Sequence, residues 1–157
     1  MPPHWLDYGK DVAIILAGIV ALITFLHGVL EYQRQGAQLR TQQFVQMRRR
    51  LTEDPSFRNI CEMLDTDDPR LREIPLQEKR NFGGFMEEVA LLVNSGVLTK
   101  EVAHYMFGYY AILCDGSINF WHNIDRRSIY WNIFDDFVEQ MKTCEQSFKF
   151  DRKRLRF

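Results

Sequence analysis

The sequence predicts an all-α protein, in which one amino-terminal transmembrane helix continues into a cytoplasmic bundle of about four to five helices. Three observations predict this fold: a long uncharged apolar run near the amino terminus, apolar residues at helical spacing through the rest of the chain, and no strand pair with turn chemistry between its strands. The chain has 157 residues and a formal net charge of −1 at pH 7.

The uncharged run extends from Val12 to Leu30, and only Thr24 and His27 in it are strongly polar. A helix over these nineteen residues spans about 28 Å, close to the hydrocarbon thickness of a bilayer. A helix on a soluble core would show a polar stripe, whereas a secretory signal would have a basic start, a shorter run and a small-residue cleavage site. We therefore predict an uncleaved transmembrane helix at residues 12–31, with a buried apolar helix as the alternative.

Charged and aromatic residues on either side of the run predict its orientation. Lys10 is the only basic residue before it, whereas residues 31–50 contain five arginines and one glutamate. The positive-inside rule then predicts a single-pass protein of the bacterial inner membrane, with its amino terminus outside and its carboxyl-terminal domain in the cytoplasm. The residues predicted to contact the membrane are the aromatic Trp5, Tyr8 and Tyr32 and the basic Arg34, Arg40, Lys153, Arg154 and Arg156.

The predicted organisation has a short extracytoplasmic amino terminus (1–11), the transmembrane helix (12–31), a basic juxtamembrane helix (32–51), a helical cytoplasmic domain (52–148) and a basic tail (149–157). Residues 51–148 carry a net charge of −8, and the basic segments on either side carry +4 each. Basic ends favour anionic lipid head groups as a partner, with solvated ends as the alternative. The acidic domain argues against nucleic acid, because phosphate contacts dominate such affinity.

Local start and stop signals divide the soluble part into helices. Pro55 begins a short helix, "PSFRNICEMLD", and Pro75 introduces a longer one over Leu76–Asn94, which Gly96 ends as a left-handed cap. Thr99 is the predicted N-cap of the next helix, "KEVAHYMFGYYAILCD". The last long helix is predicted over "RRSIYWNIFDDFVEQMKTCEQSF". The thiols of Cys61, Cys114 and Cys144 are odd in number and lack metal-ligand spacing, which favours a reducing compartment and buried roles.

Apolar spacing separates core candidates from surface candidates. In the helix over residues 76–94, Leu91 falls opposite the apolar arc, which is formed by Phe82, Phe85, Met86, Val89, Ala90, Leu92 and Val93. The segment 105–134 holds nine aromatic residues, for which a core role is predicted, with a partner surface as the alternative. The candidate partner-binding residues are Leu91, Tyr109, Tyr110, Trp121 and Trp131.

The candidate metal ligands are Glu101, His104 and His122. Glu101 and His104 have the Glu-x-x-His spacing of di-iron bundles, but those proteins use the motif twice together with further glutamates. Surface or capping roles are favoured instead, since acidic residues stabilise a first helical turn. No nucleophile motif or phosphate-binding loop is present in the sequence. We therefore predict no catalytic residue, no cofactor and no metal.

The block from Phe85 to Ile112, "FMEEVALLVNSGVLTKEVAHYMFGYYAI", is followed by "NFW" and "YWNIFDDF". Together these motifs resemble a family of uncharacterised bacterial single-span membrane proteins with a helical cytoplasmic domain of unknown function. The resemblance implies an anchored helical module and assigns no activity to Glu87 or Glu88.

Function is predicted through binding. We predict a membrane-anchored protein-interaction module, an adaptor or accessory subunit of a larger membrane complex, whose partner is another membrane protein or a second copy packed through the span. The small residues that would allow such packing are Ala13, Ala17, Gly18 and Ala21. The alternative is a membrane-tethered metal-binding or hydrolytic helical-bundle enzyme.

Overall fold

The computed structural model describes the backbone of residues 5–147, and the side chains of residues 14, 16–32, 34–36 and 38–146. Every regular element among these residues is helical, so the predicted helical bundle is confirmed. The chain divides between Leu39 and Arg40 into two compact units.

The first helix, α1, runs from Trp5 to Glu53. The amino-terminal unit consists of α1 up to Leu39. The carboxyl-terminal part of α1 belongs to the second unit, where Leu51 is buried in the core and Phe44 and Met47 pack against that core. The second half of the predicted juxtamembrane helix is therefore an integral part of the bundle.

Five further α-helices and three short helical turns complete the second unit. The order is α2 (Pro55–Leu64), a 3₁₀ turn (Pro69–Arg72), α3 (Leu76–Asn94), α4 (Lys100–Ala103), a π-helical turn (His104–Gly108), α5 (Tyr109–Gly116), a 3₁₀ turn (Ile129–Trp131) and α6 (Asn132–Ser147).

Capping groups fix the helix ends where local chemistry predicts them. The Asp54 carboxylate accepts hydrogen bonds from the backbone N–H groups of Ser56 and Phe57, at 2.9 and 3.2 Å, which caps α2. Thr99 caps α4 in the same way, through the N–H of Val102 at 3.3 Å. Gly96, at φ +71°, ends α3 in a Schellman motif. The predicted start of α2 at Pro55, the predicted N-cap at Thr99 and the predicted left-handed cap at Gly96 are confirmed.

The predicted start of the last helix is wrong. Residues 126–128 were expected in it, but α6 begins at Asn132 after the 3₁₀ turn Ile129–Trp131. The reason is local hydrogen bonding, because the Asp125 carboxylate accepts from the backbone N–H of Arg127 at 3.1 Å and the Ser128 hydroxyl accepts from that of Tyr130 at 3.4 Å. Short polar side chains of this kind compete with helix formation.

The helix predicted from Thr99 onward has a π-helical turn in its middle. Gly108 ends this turn, and a Cβ there would lie 3.0 Å from the Cδ2 atom of His104 and 3.3 Å from the sulfur of Met141. The π-helical turn thus passes close to Met141 of α6, and a side chain at Gly108 would require His104 and Met141 to shift by a few tenths of an ångström. Hydrophobic periodicity does not detect a bulge of this kind, since the flanking residues keep their helical spacing.

Aromatic side chains fill the core. Phe57 makes edge-on contacts with Phe82 and Phe85, whose ring centroids lie 5.3 and 5.2 Å away. Phe82 in turn contacts Phe120 at 5.8 Å, and Phe85 contacts Phe107 at 5.9 Å. All five rings are at most 2% exposed. Of the nine aromatic residues in segment 105–134, the predicted core role is confirmed for four, Phe107, Phe120, Trp121 and Phe134, which bury a large area in a small bundle. Tyr105, Tyr109 and Tyr130 are instead exposed.

Candidate functional site

The apolar segment of α1 exposes its side chains. The ten large apolar side chains described between Ile14 and Leu30 have exposed fractions from 40% at Val29 to 69% at Ile14. The Thr24 hydroxyl donates to the carbonyl of Val20 at 2.8 Å, so this polar group is satisfied within the helix, as a bilayer interior requires. Among the described residues, α1 is the one helix long and apolar enough to cross a membrane, judged by length and composition alone.

The side chains predicted to contact the membrane are only partly described. Tyr32 is 80% exposed, Arg34 is exposed and Arg40 is half-buried. The side chains outside the described residues are those of Trp5, Tyr8, Lys153, Arg154 and Arg156. Membrane contact at these positions stays a prediction.

Leu91 lies on the surface of α3 and is 51% exposed. It opens into a groove of about 360 Å³ between α3 and the carboxyl-terminal part of α1. The residues that line this groove are Gln43, Gln46, Met47, Glu88, Leu91 and Leu92. We name it the Leu91 groove. Its three apolar side chains are those of Met47, Leu91 and Leu92, and its other lining residues are two glutamines and a glutamate. This composition is similar to the apolar centre and polar rim of protein interfaces.

An ion pair holds one side of the Leu91 groove. The Nη1 atom of Arg50 lies 2.8 Å from the Oε2 atom of Glu88. The guanidinium carbon of Arg50 also lies 5.4 Å from the ring centroid of Phe57 and 5.5 Å from that of Phe85. Because the pair is about half exposed, its contribution to stability is no more than about 1 kcal/mol. Its main effect is to orient Glu88 beside the groove.

Tyr109 and Tyr110 lie away from the Leu91 groove, next to α2. Tyr109 is 58% exposed, and its hydroxyl donates to the Oδ1 atom of Asp65 at 3.1 Å. This hydrogen bond raises the pKa of Tyr109, and the negative charge of Asp65 raises it further. Tyr110 is half-buried and contacts the ring of Tyr109 edge-on, at 5.2 Å between centroids.

The two candidate tryptophans have different surroundings. Trp121 is only 9% exposed, and its indole N–H donates to the carbonyl of Cys114 at 2.7 Å, so we exclude it from the proposed partner surface. Trp131 is half-buried and meets the Trp121 ring edge-on, at 5.1 Å between centroids. Of the five residues predicted to bind a partner, Leu91 alone lines the groove.

The three candidate metal ligands lie on separate elements. Glu101 is on α4, His104 begins the π-helical turn and His122 is exposed in the loop after α5. Within the described part of the chain, no group of three or more His, Cys, Asp or Glu side chains is close enough to share a metal ion. The described structure therefore does not bring Glu101, His104 and His122 together as a metal site.

Sequence analysis missed a charged network centred on Arg126. Its Nη2 atom lies 2.7 Å from the Oδ1 atom of Asp115 and also pairs with Asp135. Lys142 approaches the other oxygen of Asp115 at 2.9 Å. Burial raises the pKa of Asp115, but hydrogen bonds from Lys142 and Arg126 outweigh it, so the pKa lies below its ordinary value. Asp135 and Lys142 share one face of α6, but Arg126 and Asp115 lie on other segments, so no local pattern reveals the network.

A buried lysine was also missed. Lys79 is 2% exposed, and its ammonium donates to the carbonyl of His122 at 3.0 Å. Burial lowers the pKa of Lys79. Its position three residues before Phe82 places it inside the apolar arc of α3, near the border at Ala90. Because a long lysine side chain can extend its ammonium from such a position to solvent, the pattern did not distinguish a buried lysine from a surface one.

The thiols occupy the positions expected of small apolar groups. Cys61 and Cys114 are buried, Cys144 is half-buried, and none of these three forms a disulfide bond. Burial raises the pKa of Cys61 to about 12, with further contributions from Asp65 and Glu62. A neutral, buried thiol is a poor nucleophile.

Comparison with known proteins finds no matching family model, no matching curated protein and no matching solved structure. The resemblance of the Phe85–Ile112 block to single-span bacterial membrane proteins therefore stays a prediction.

Proposed function

We propose that this chain is a membrane-anchored protein-interaction module, an adaptor or accessory subunit of a larger membrane complex. Residues 12–31 would span the bacterial inner membrane with the amino terminus outside and the helical bundle in the cytoplasm. The observation that carries this proposal is the exposed apolar segment of α1, because ten large apolar side chains on one helix are unfavourable in water.

The energetics favour lipid as the surroundings of this segment. Each Leu, Ile, Phe or Val contributes about 0.3–0.6 kcal/mol to membrane insertion at the centre of a helix. The ten described side chains would therefore contribute about 3–6 kcal/mol. The five arginines of residues 31–50 favour the cytoplasmic side for the segment that follows.

The Leu91 groove supports binding to another protein. A half-exposed leucine beside Met47 and Leu92 offers apolar surface that a partner could bury at the centre of an interface with a polar rim. We propose that the partner is a second membrane protein that brings an apolar side chain into this groove. Self-association through the span is the competing outcome, and the test below distinguishes the two.

The test is purification of the full-length chain from native membranes in mild detergent. We expect the chain to resist extraction by carbonate, and a stoichiometric partner to remain bound. Leu91→Asp should remove the partner and leave the chain in the membrane. Ile118→Asp is the matched control, since Ile118 is 76% exposed and lies outside the groove.

Three outcomes would contradict the proposal. A full-length chain that stays soluble without detergent would exclude the membrane anchor. A clean monomer under several mild detergents would exclude the stable complex. A homo-oligomer that stays intact in Leu91→Asp would show that the chains associate through the span and not through the Leu91 groove.

A further inference from the structure

A second cavity lies on the bundle, separate from the Leu91 groove. It has a volume of about 360 Å³ and lies between α3 and the segment 124–131, which precedes α6. The α3 residues that line it are Arg80, Gly84 and Glu87, at positions i, i+4 and i+7 of one helical face. We name it the Gly84 pocket. Its size suits a small molecule, since ligand pockets begin at about 300 Å³.

Two adjacent glycines in the middle of α3 have different explanations. A glycine inside a helix costs about 0.5–1 kcal/mol relative to alanine, so each needs a structural reason. Gly83 has one within the protein, because a Cβ there would lie 2.7 Å from the Cζ3 atom of Trp131. Gly84 has none, because a Cβ there would meet no described atom within 4 Å. Gly84 instead leaves the helix backbone open to the pocket, where a bound molecule could approach it closely.

The pocket contains charged groups without charged partners. Among the described residues, Arg80 forms no ion pair or side-chain hydrogen bond, although the pocket also holds two carboxylates, those of Glu87 and Asp125. The Oε1 atom of Glu87 is buried and has no hydrogen-bond partner in the described structure. Buried acceptors are nearly always satisfied, so the Oε1 atom of Glu87 has capacity for a donor from an ordered water or from a molecule bound in the cavity.

An aromatic wall faces these charged groups. The Trp131 ring contacts the Trp121 ring edge-on. It also lies close to the α3 backbone at Gly83, where no side chain obstructs it. Tyr130 also lines the pocket and is 82% exposed. Exposed tyrosine rings are costly to leave in water and are typical of binding surfaces.

We propose that the Gly84 pocket binds a small zwitterion of the amino-acid class. The ligand carboxylate would pair with Arg80, because guanidinium groups bind carboxylates through two parallel hydrogen bonds. The ligand ammonium would pair with the carboxylates of Glu87 and Asp125 and satisfy the free oxygen of Glu87. Its side chain would lie against Trp131 and Tyr130. A ligand with a single charge would leave one of these sets unpaired.

The test measures binding to the full-length chain in lipid nanodiscs. The standard amino acids are first screened by ligand-observed NMR, and L-phenylalanine is then compared with 3-phenylpropionate and 2-phenylethylamine, which keep the ring and one charge each. We expect L-phenylalanine to bind, and each analogue to bind about tenfold more weakly or worse. The failure of all the amino acids to bind would overturn the proposal, as would equal binding by an analogue.

Variants locate the binding. Gly84→Leu should fill the pocket and abolish binding, without lowering the unfolding temperature, because nothing in the described structure obstructs its Cβ. The matched control is Gly116→Leu, which is also unobstructed, lies in α5 outside the pocket, and should bind like the wild type. Arg80→Gln should weaken the binding of L-phenylalanine about tenfold and leave the binding of 2-phenylethylamine, which has no carboxylate, unchanged. If Gly84→Leu binds L-phenylalanine as tightly as the wild type, the ligand does not bind in the Gly84 pocket.

Discussion

Replacing Arg126 with methionine should destabilise the bundle by about 1.5–4 kcal/mol. Methionine keeps a flexible apolar stem but removes the guanidinium, whose carbon lies 4.5 Å from the ring centroid of Trp121 and 5.1 Å from that of Phe134. These two contacts are worth about 0.5–2 kcal/mol together at a partly buried site. The ion pairs with Asp115 and Asp135 add about 0.5–1 kcal/mol each, since the Arg126 side chain is 24% exposed.

The middle of this range lies below the loss caused by an isolated buried charge, which is about 3–5 kcal/mol. The reason is that Lys142 still pairs with Asp115 after the substitution, at 2.9 Å. The assay is urea unfolding of the full-length chain in mild detergent, followed by tryptophan fluorescence. The matched control is Arg127→Met, because the neighbouring Arg127 is exposed and makes no ion pair among the described residues. We expect that control to change stability by less than about 0.5 kcal/mol.

The pH dependence gives a second measurement of the same network. Because the folded-state pKa of Asp115 is lowered, its contribution to stability is present above the unfolded-state value and is lost as the pH falls through the folded-state value. The difference between wild type and Arg126→Met should therefore shrink in acid. Equal stability of Arg126→Met and Arg127→Met at neutral pH would refute the reasoning.

Three further predictions concern single positions in the bundle. Gly84→Ala should raise the free energy of unfolding by about 0.5–1 kcal/mol. Gly83→Ala should have a free energy of unfolding about 1–3 kcal/mol lower than that of Gly84→Ala, because its Cβ displaces the Trp131 ring. Urea unfolding of both variants measures the difference. Gly96→Ala should cost about 1–2 kcal/mol, since alanine disfavours a φ of +71°, and a thermal melt with an unchanged midpoint would contradict this. Stability should fall as the pH rises from 9 toward 12, because the pKa of Cys61 is raised from 9.0 to about 12; Cys61→Ala should flatten that slope in unfolding curves taken across this range.

Local chemistry made much of the helical architecture predictable. Pro55 at the start of α2, Thr99 as the cap of α4 and Gly96 at the end of α3 act on backbone groups within one turn of themselves, so their effect is readable from neighbouring residues. Periodicity likewise predicted which side of α3 is buried, because residues at helical spacing share a face whatever lies opposite. Leu91 was expected outside that face and is 51% exposed.

The sequence by itself determined the helical class, the starts of α2, α3 and α4, the apolar run of α1 and the separation of charge along the chain, but not the π-helical turn or the start of α6. Only the tertiary structure decided which distant residues come together: Arg126 pairs with Asp115 and Asp135, the Lys79 ammonium donates to a backbone carbonyl, and Met47 of α1 lines the same groove as Leu91 of α3. Such contacts join residues far apart in sequence, and their formation depends on how the helices pack. Local propensity and spacing therefore fix the elements, whereas the groove and the pocket exist only once the elements are packed together.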